Sequence, residues 1–160
     1  MKPDLSGNRV DLRTIETRDA EDLFEIYGNA QTMEFASDPA FSSQGMIKQL
    51  LESVTRLEAS GESLEWAVVE RSTNKVIGTC GLHSFSHSGD ACEVGCLLNS
   101  AYWRQGYMSE ALPLLFSHAK SLGIGKLYAD IESGNFRSQA LFEKLGFNVK
   151  SGRFEYTQSI

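Results

Sequence analysis

Residues 102–112, Tyr-Trp-Arg-Gln-Gly-Tyr-Met-Ser-Glu-Ala-Leu, carry the ingredients of an anion site. They lie between a short apolar run, Val94 to Leu98, and a stretch with Met108, Ala111, Leu112, Leu115, Phe116, Ala119 and Leu122 at helical spacing. The order reads strand, turn, helix. The first amides of a helix have no intrahelical acceptor, and together with the positive end of the helix dipole they favour a phosphate. Gly106 lets the main chain come close to such a ligand. An arginine beside a glycine also opens many ordinary helices, so a plain helix entrance is the competing reading. No lysine follows the glycine and no Gly-x-x-x-x-Gly-Lys run is present, which disfavours a P-loop nucleotide site.

A second cluster of reactive types is Cys80, His83, His87, Cys92 and Cys96. Its spacing matches no common zinc module, and Cys80 and Cys96 fall in apolar strand-like runs, so the expectation is small core residues and no metal. An odd number of thiols with no Cys-x-x-Cys pair suits a reducing compartment.

The elements that must position the turn come from a chain of 160 residues with 41% hydrophobic and 22% charged content, which suits one globular domain over residues 1–160. The net charge of -6 and the lack of a basic block argue against nucleic acid and favour cationic or amine substrates. No apolar run approaches the roughly 20 residues that span a bilayer, and the start does not read as a signal peptide, so no membrane partner and a cytoplasmic location are expected.

Val10, Leu12 and Ile15 mark a first strand, and Thr17 or Asp19 can cap a helix carrying Leu23, Phe24, Ile26 and Tyr27. After a loop from Phe35 to Gln44, a helix runs from about Gly45 to Ala59, with Ile47, Leu50, Leu51, Val54 and Leu57 on one side until Gly61 stops it. Leu64, Trp66 and Val68 alternate with Glu65 and Ala67, and with the run Val76 to Leu82 they predict a hairpin across Arg71 to Lys75. Cys92 to Leu98 reads as a central strand, and further strands are expected at Leu127 to Ile131 and from Phe147 towards Tyr156. Between these two, a polar turn leads into a short helix, and Gly146 sits where a left-handed helix stop is expected. The fold class is mixed α/β, with six or seven strands and about four helices.

Two motifs then stand out in order: Trp103-x-x-Gly106-Tyr107-x-x-Glu110-Ala111, and Asn135-x-x-Ser138-x-x-x-x-Glu143-Lys144-Leu145-Gly146-Phe147. With both in view the chain resembles the GNAT superfamily of N-acetyltransferases, and within it the RimJ/RimL type that acetylates ribosomal-protein N-termini. The likeness runs from about Arg9 to the C-terminus, with Met108 and Ser109 in place of the family's Ala and Thr.

The resemblance implies acetyl-CoA as cosubstrate and, as acceptor, a primary amine of a small molecule or a protein N-terminus. It implies that main-chain groups of Leu97, Leu98 and Asn99 pair with the pantetheine arm. Amides from Arg104 through Gln105, Gly106 and Tyr107 to Met108, with the Ser109 hydroxyl, would hold the pyrophosphate. Asn135 would fix the arm from the other side. Acyl transfer requires a neutral amine, and Glu93, which matches a family glutamate on the central strand, is the candidate base, directly or through water. The position where many members carry a tyrosine that protonates the leaving thiolate is Phe142, so Ser138, one helical turn earlier, is the candidate acid. The early helices and the Phe35 to Gln44 loop would form one wall of the acceptor site. A non-catalytic acyl-CoA sensor of the same fold is the alternative function. Two departures complete the expectations. Pro113 is tolerable if Ser109 caps the main helix, because it then falls in the first turn. The chain also ends about a strand early, so that either the last strand is short or a partner or truncation is involved, and the sheet edge this leaves would need cover, which a homodimer could give.

Overall fold

The computed structural model describes residues 2–159. Its centre is one sheet in the order β1-β2-β3-β4-β5-β6-β8-β7. The strands are β1 (Leu5–Ser6), β2 (Val10–Thr14), β3 (Ser63–Glu70), β4 (Lys75–His83), β5 (Ala91–Leu98), β6 (Lys126–Ala129), β7 (Asn148–Lys150) and β8 (Arg153–Thr157). The helices are α1 (Ala20–Tyr27), α2 (Gln44–Ser60), α3 (Tyr107–Ser121) and α4 (Phe136–Lys144). The mixed α/β class and the helix number agree with the sequence reading; the sheet has eight strands rather than six or seven.

Alternation sorts side chains to the two faces of the sheet. Trp66, Val68, Cys80, Leu82, Cys92 and Val94 pack with Met108, Ala111, Leu112 and Leu115 of α3 on one face. Ala67, Val69 and Val76 pack with Leu23, Ile26 and Ile47 of α1 and α2 on the other. Gly61, in the left-handed region at φ 78°, ends α2 where the sequence placed its stop.

Three local expectations change. The N-cap of α3 is Gly106, not Ser109, so Pro113 lies inside the helix. Its missing N–H would have met the Ser109 carbonyl, which is left without that partner. The strand expected at Leu127 to Ile131 stops at Ala129. The strand expected from Phe147 to Tyr156 is two strands: Lys150 pairs with Arg153 across Ser151 and Gly152, whose φ values of 52° and 79° are the pair that a tight two-residue hairpin needs. This hairpin supplies the closing strand that the chain had looked too short to contain, and β7 is the resulting edge, exposed but short and lysine-bearing.

One feature of the sheet opens the cavity. Strands β5 and β6 pair in parallel only from Ala91–Lys126 to Glu93–Tyr128. Beyond Glu93, β5 continues to Leu98 bonded to β4 alone. The two strands therefore part, and the main chain of β5 on that side has no strand partner.

Candidate active site

The parted strands open into a cavity of about 700 Å³, within the usual range for ligand sites. One wall is β5 from Glu93 to Leu98, the other is Ala129 to Glu132 followed by α4, and the far end is the start of α3. At that end Arg104 (φ 62°) and Gly106 (φ 81°) are both left-handed, which turns successive amides inward. No side chain caps the helix, and its first bond is from Glu110 N to the Gly106 carbonyl at 3.2 Å. The amides of Tyr107, Met108 and Ser109 thus precede any intrahelical partner. A phosphate-bearing carrier fits this end: charge meets free amides, and the arm behind it meets the free edge of β5.

The conspicuous residues of the first motif brace this turn from behind. Glu110 accepts from the amides of Arg9 (2.6 Å) and Val10 (3.0 Å), tying α3 to β2. The Arg9 guanidinium donates to the Gln105 carbonyl at 2.9 Å and stacks on the Tyr107 ring. The Tyr107 hydroxyl donates to Glu70, away from the cavity. Trp103 donates to the Leu98 carbonyl at 2.8 Å, joining the end of β5 to the turn, and Arg137 of α4 lies over its ring at 3.4 Å. Arg104 and Arg137 therefore flank this end of the cavity with positive charge.

Most of the residues expected from the sequence converge here. Glu93, Leu97, Leu98, Arg104, Gly106, Tyr107, Met108, Ser109, Asn135, Ser138 and Phe142 all line the cavity. Asn99 and Gln105 do not. The Asn99 amide is already bonded to the Ile77 carbonyl at 2.8 Å, and its side chain reaches Ala101 and Glu25, so it anchors the end of β5. The Gln105 side chain turns back to the Ala101 carbonyl. Asn135 caps α4 by accepting from the Ser138 amide at 3.3 Å. Phe142 packs edge-on against Phe147 at 5.0 Å.

Two side chains bind both oxygens of Glu93. His83 Nε2 lies 3.2 Å from Oε2, and Arg153 donates to Oε1 at 2.9 Å. The imidazole of His83 covers Gly95, with Cε1 3.3 Å from the point a side chain there would occupy. The cavity continues over this glycine towards α1, where Tyr27 and Thr79 share a hydrogen bond of 2.9 Å and Glu65 enters from β3. Burial, with Glu65 adding to it, pushes the Tyr27 hydroxyl above its ordinary value. Burial raises the Glu65 carboxyl to about 7, against an opposing pull from Lys2. The Cys96 thiol is pushed up to about 12 by burial and then by Glu65, so it stays uncharged. The loop between α1 and α2 closes this side: Phe35 reaches Gly134, and Thr32 accepts from the Ser100 amide at 3.1 Å. His83, Glu65, Arg137 and Arg9 are the members that the sequence reading did not assign. Each depends on strand register or on a stacking partner distant in the chain.

Parted strands ending on an uncapped helix suit an extended carrier with an anionic group at one end. Residues 9–148 match the acetyltransferase (GNAT) domain, and the chain belongs to that family. It is 27% identical over 157 residues to an uncharacterized N-acetyltransferase, YoaA, of Bacillus subtilis, covering 98% of this chain and 89% of that one. Among solved structures it resembles the ribosomal-protein α-N-acetyltransferase RimL in complex with coenzyme A, with TM-score 0.85, 16% identity and coverage of 97% and 98%. It also resembles the ribosomal-protein-S5-alanine acetyltransferase of Vibrio fischeri, with TM-score 0.80, 20% identity and coverage of 98% and 97%. The RimJ/RimL likeness in the motifs thus extends to the fold. No helix among the described residues is long and apolar enough to cross a membrane.

Proposed function

We propose that the protein transfers an acetyl group from acetyl-CoA to a cationic primary amine, either a protein N-terminal α-amine or a small amine, in the cytoplasm. The observation that carries this reading is the free edge of β5 leading from Glu93 to the uncapped start of α3. Amides of residues 106–109 would take the pyrophosphate, with Arg104 and Arg137 beside it. The β5 main chain would hold the arm and point a donor at the oxyanion. The cosubstrate supplies the activated thioester.

An ammonium acceptor loses two protons on its way to an amide, one before attack and one as the carbon–sulfur bond breaks. Glu93 and His83 lie within hydrogen-bonding distance next to Gly95 and would accept one of them, with Arg153 holding the carboxylate in place. The Ser138 hydroxyl, on the opposite wall, would supply a proton to the thiolate. The acidic lining of the acceptor side, Glu65, Glu93 and Asp38, favours a cationic substrate.

The test is thiol release from acetyl-CoA against a panel of peptides with free N-termini and small amines. Amine-dependent release is expected. Tight CoA binding without release for any amine would refute catalysis and leave the acyl-CoA sensor.

A further inference from the structure

Resting on the acetyl-transfer reading, we propose that Glu65 is a catalytic residue that binds the incoming ammonium and takes its first proton. Its position follows from the register of three strands. Glu65 on β3 faces Gly81 on β4, and Gly81 faces Gly95 on β5. With no side chain on either glycine, a trough crosses the sheet from β3 to the free edge of β5. The carboxylate lies in that trough: Oε2 is 2.1 Å from the point where a Gly81 Cβ would stand. Strands are about 4.8 Å apart, so the carboxylate reaches across β4 to roughly one strand spacing from Gly95. An amine approaching the β5 edge from the α1 side passes between Glu65 and His83.

No described side chain or amide donates a hydrogen bond to the Glu65 carboxylate. Lys2 donates instead to its main-chain carbonyl at 2.6 Å and pairs with Glu58 of α2. From α1 the group facing Glu65 is the Tyr27 hydroxyl, held neutral, and from β4 the Thr79 hydroxyl bonded to it; the Cys80 and Cys96 thiols, also held neutral, lie on the opposite face of the sheet. His83 and Glu93 line the same trough beyond Gly95. A carboxylate with no hydrogen-bond donor, open to the cavity, is an incomplete site that an ammonium completes.

The protons balance as follows. The ammonium gives one proton to the Glu65 carboxylate, and its freed electron pair attacks the thioester carbon, forming the carbon–nitrogen bond. As the carbon–sulfur bond breaks, its electrons leave on sulfur. The nitrogen loses a second proton to the His83–Glu93 pair, the thiolate takes one from the Ser138 hydroxyl, and water carries the proton of the pair back to Ser138. Glu65 returns its proton to water as product departs. Its carboxyl, raised to about 7, sits near an α-amine at about 8 and far below an alkylamine at about 10.4, so the first transfer is nearly balanced only for the former.

The experiment uses the full chain labelled with [δ-13C]glutamate, with Glu65→Gln assigning the signal. The Glu65 resonance is expected to titrate near 7, and to fall by at least one pH unit when alaninamide is added at millimolar concentration. A midpoint in the ordinary carboxylate range, or one that alaninamide leaves in place, overturns the proposal. In thiol release with alaninamide, Glu65→Gln should lower kcat/KM by roughly 10²–10⁴, abolish the pH limb near 7 and leave CoA affinity intact. Glu65→Asp, one methylene short, should keep the limb at reduced rate. Unchanged kcat/KM in Glu65→Gln also overturns it. If the unmodified protein binds no CoA and releases no thiol, the acetyl-transfer reading fails on its own, and the titration still decides whether Glu65 is an ammonium site.

Discussion

Glu65 has a cost to the fold that can be measured without any substrate. Moving a carboxyl from its ordinary 4.5 to about 7 means roughly 3 kcal/mol of preference for the protonated form in the folded state. Glu65 is half-buried and open to the cavity, so solvent moderates this, and about 1–2 kcal/mol is the expected penalty for holding the charge. The sign follows from linkage. The unfolded chain releases this proton near 4.5, and the folded chain holds it until about 7, so stability is full below 4.5 and declines as pH rises through 7. Glu65→Gln, which cannot ionise, should therefore be more stable than the unmodified protein near pH 8, by about 1–2 kcal/mol, which is roughly 2–8 °C in Tm for a chain of this size. Urea denaturation at several pH values is the assay. The gain should vanish below the ordinary carboxylate range. Equal stabilities near pH 8, or a difference independent of pH, would refute the idea that a strained charge sits in the trough.

Other outcomes follow from the remaining contacts. Gly106→Ala places a side chain at φ 81°, costing about 1–2 kcal/mol if the turn holds, or misaligning the free amides if it yields. Calorimetry should show CoA binding weakened about tenfold or more, and unchanged affinity would reject the turn as the phosphate site. Asp19 is buried and bidentate to Arg13 at 2.8 Å, and accepts the Glu16 amide. Burial raises its pKa, but those partners outweigh it and the net shift is downward. Asp19→Ala should then cost about 3 kcal/mol near neutral pH, with a loss that shrinks as pH falls below the ordinary aspartate range; a loss constant with pH would indicate packing alone. Glu93→Gln and His83→Gln should each lower kcat/KM by about 10², and the double variant should be little worse than the poorer single one. Multiplicative losses would show that the two do not act as a pair.

What was legible in the sequence was what local pattern determines. The strand ending at Leu98, the amphipathic run from Met108 and the glycine after Leu145 each declare themselves within a few residues, so the turn before α3 and both walls of the cleft could be placed. The hairpin of β7 and β8 was missed because Ser-Gly is a weak version of the turn signal that Asn-Gly gives, although Ser151 adopts the same positive φ. The helix start was misplaced by three residues because a serine is the better cap on intrinsic grounds. Here Gly106 takes the position and leaves the amides uncapped.

The acceptor side was illegible for a different reason. Glu65 stands in a strand where Leu64, Trp66 and Val68 are apolar, and alternation alone makes it an ordinary polar residue. It becomes distinctive only when two further strands place Gly81 and Gly95 in line with it, a coincidence of register over residues thirty apart. The same holds for Glu93, whose sequence context proposes a free base. Two residues from other strands, His83 and Arg153, already hold its oxygens. A carboxylate so restrained can orient an imidazole and share its proton, whereas Glu65, with no donor of its own, is the group left able to meet a new cation. If acceptor recognition works through that difference, exchanging the environments should exchange the roles. Removing Arg153 should free one Glu93 oxygen and make the variant less dependent on Glu65, which kcat/KM for alaninamide in Arg153→Ala, with and without Glu65→Gln, would reveal. An Arg153→Ala protein that remains fully dependent on Glu65 would show instead that reach along the trough, and not freedom from partners, decides which carboxylate takes the proton.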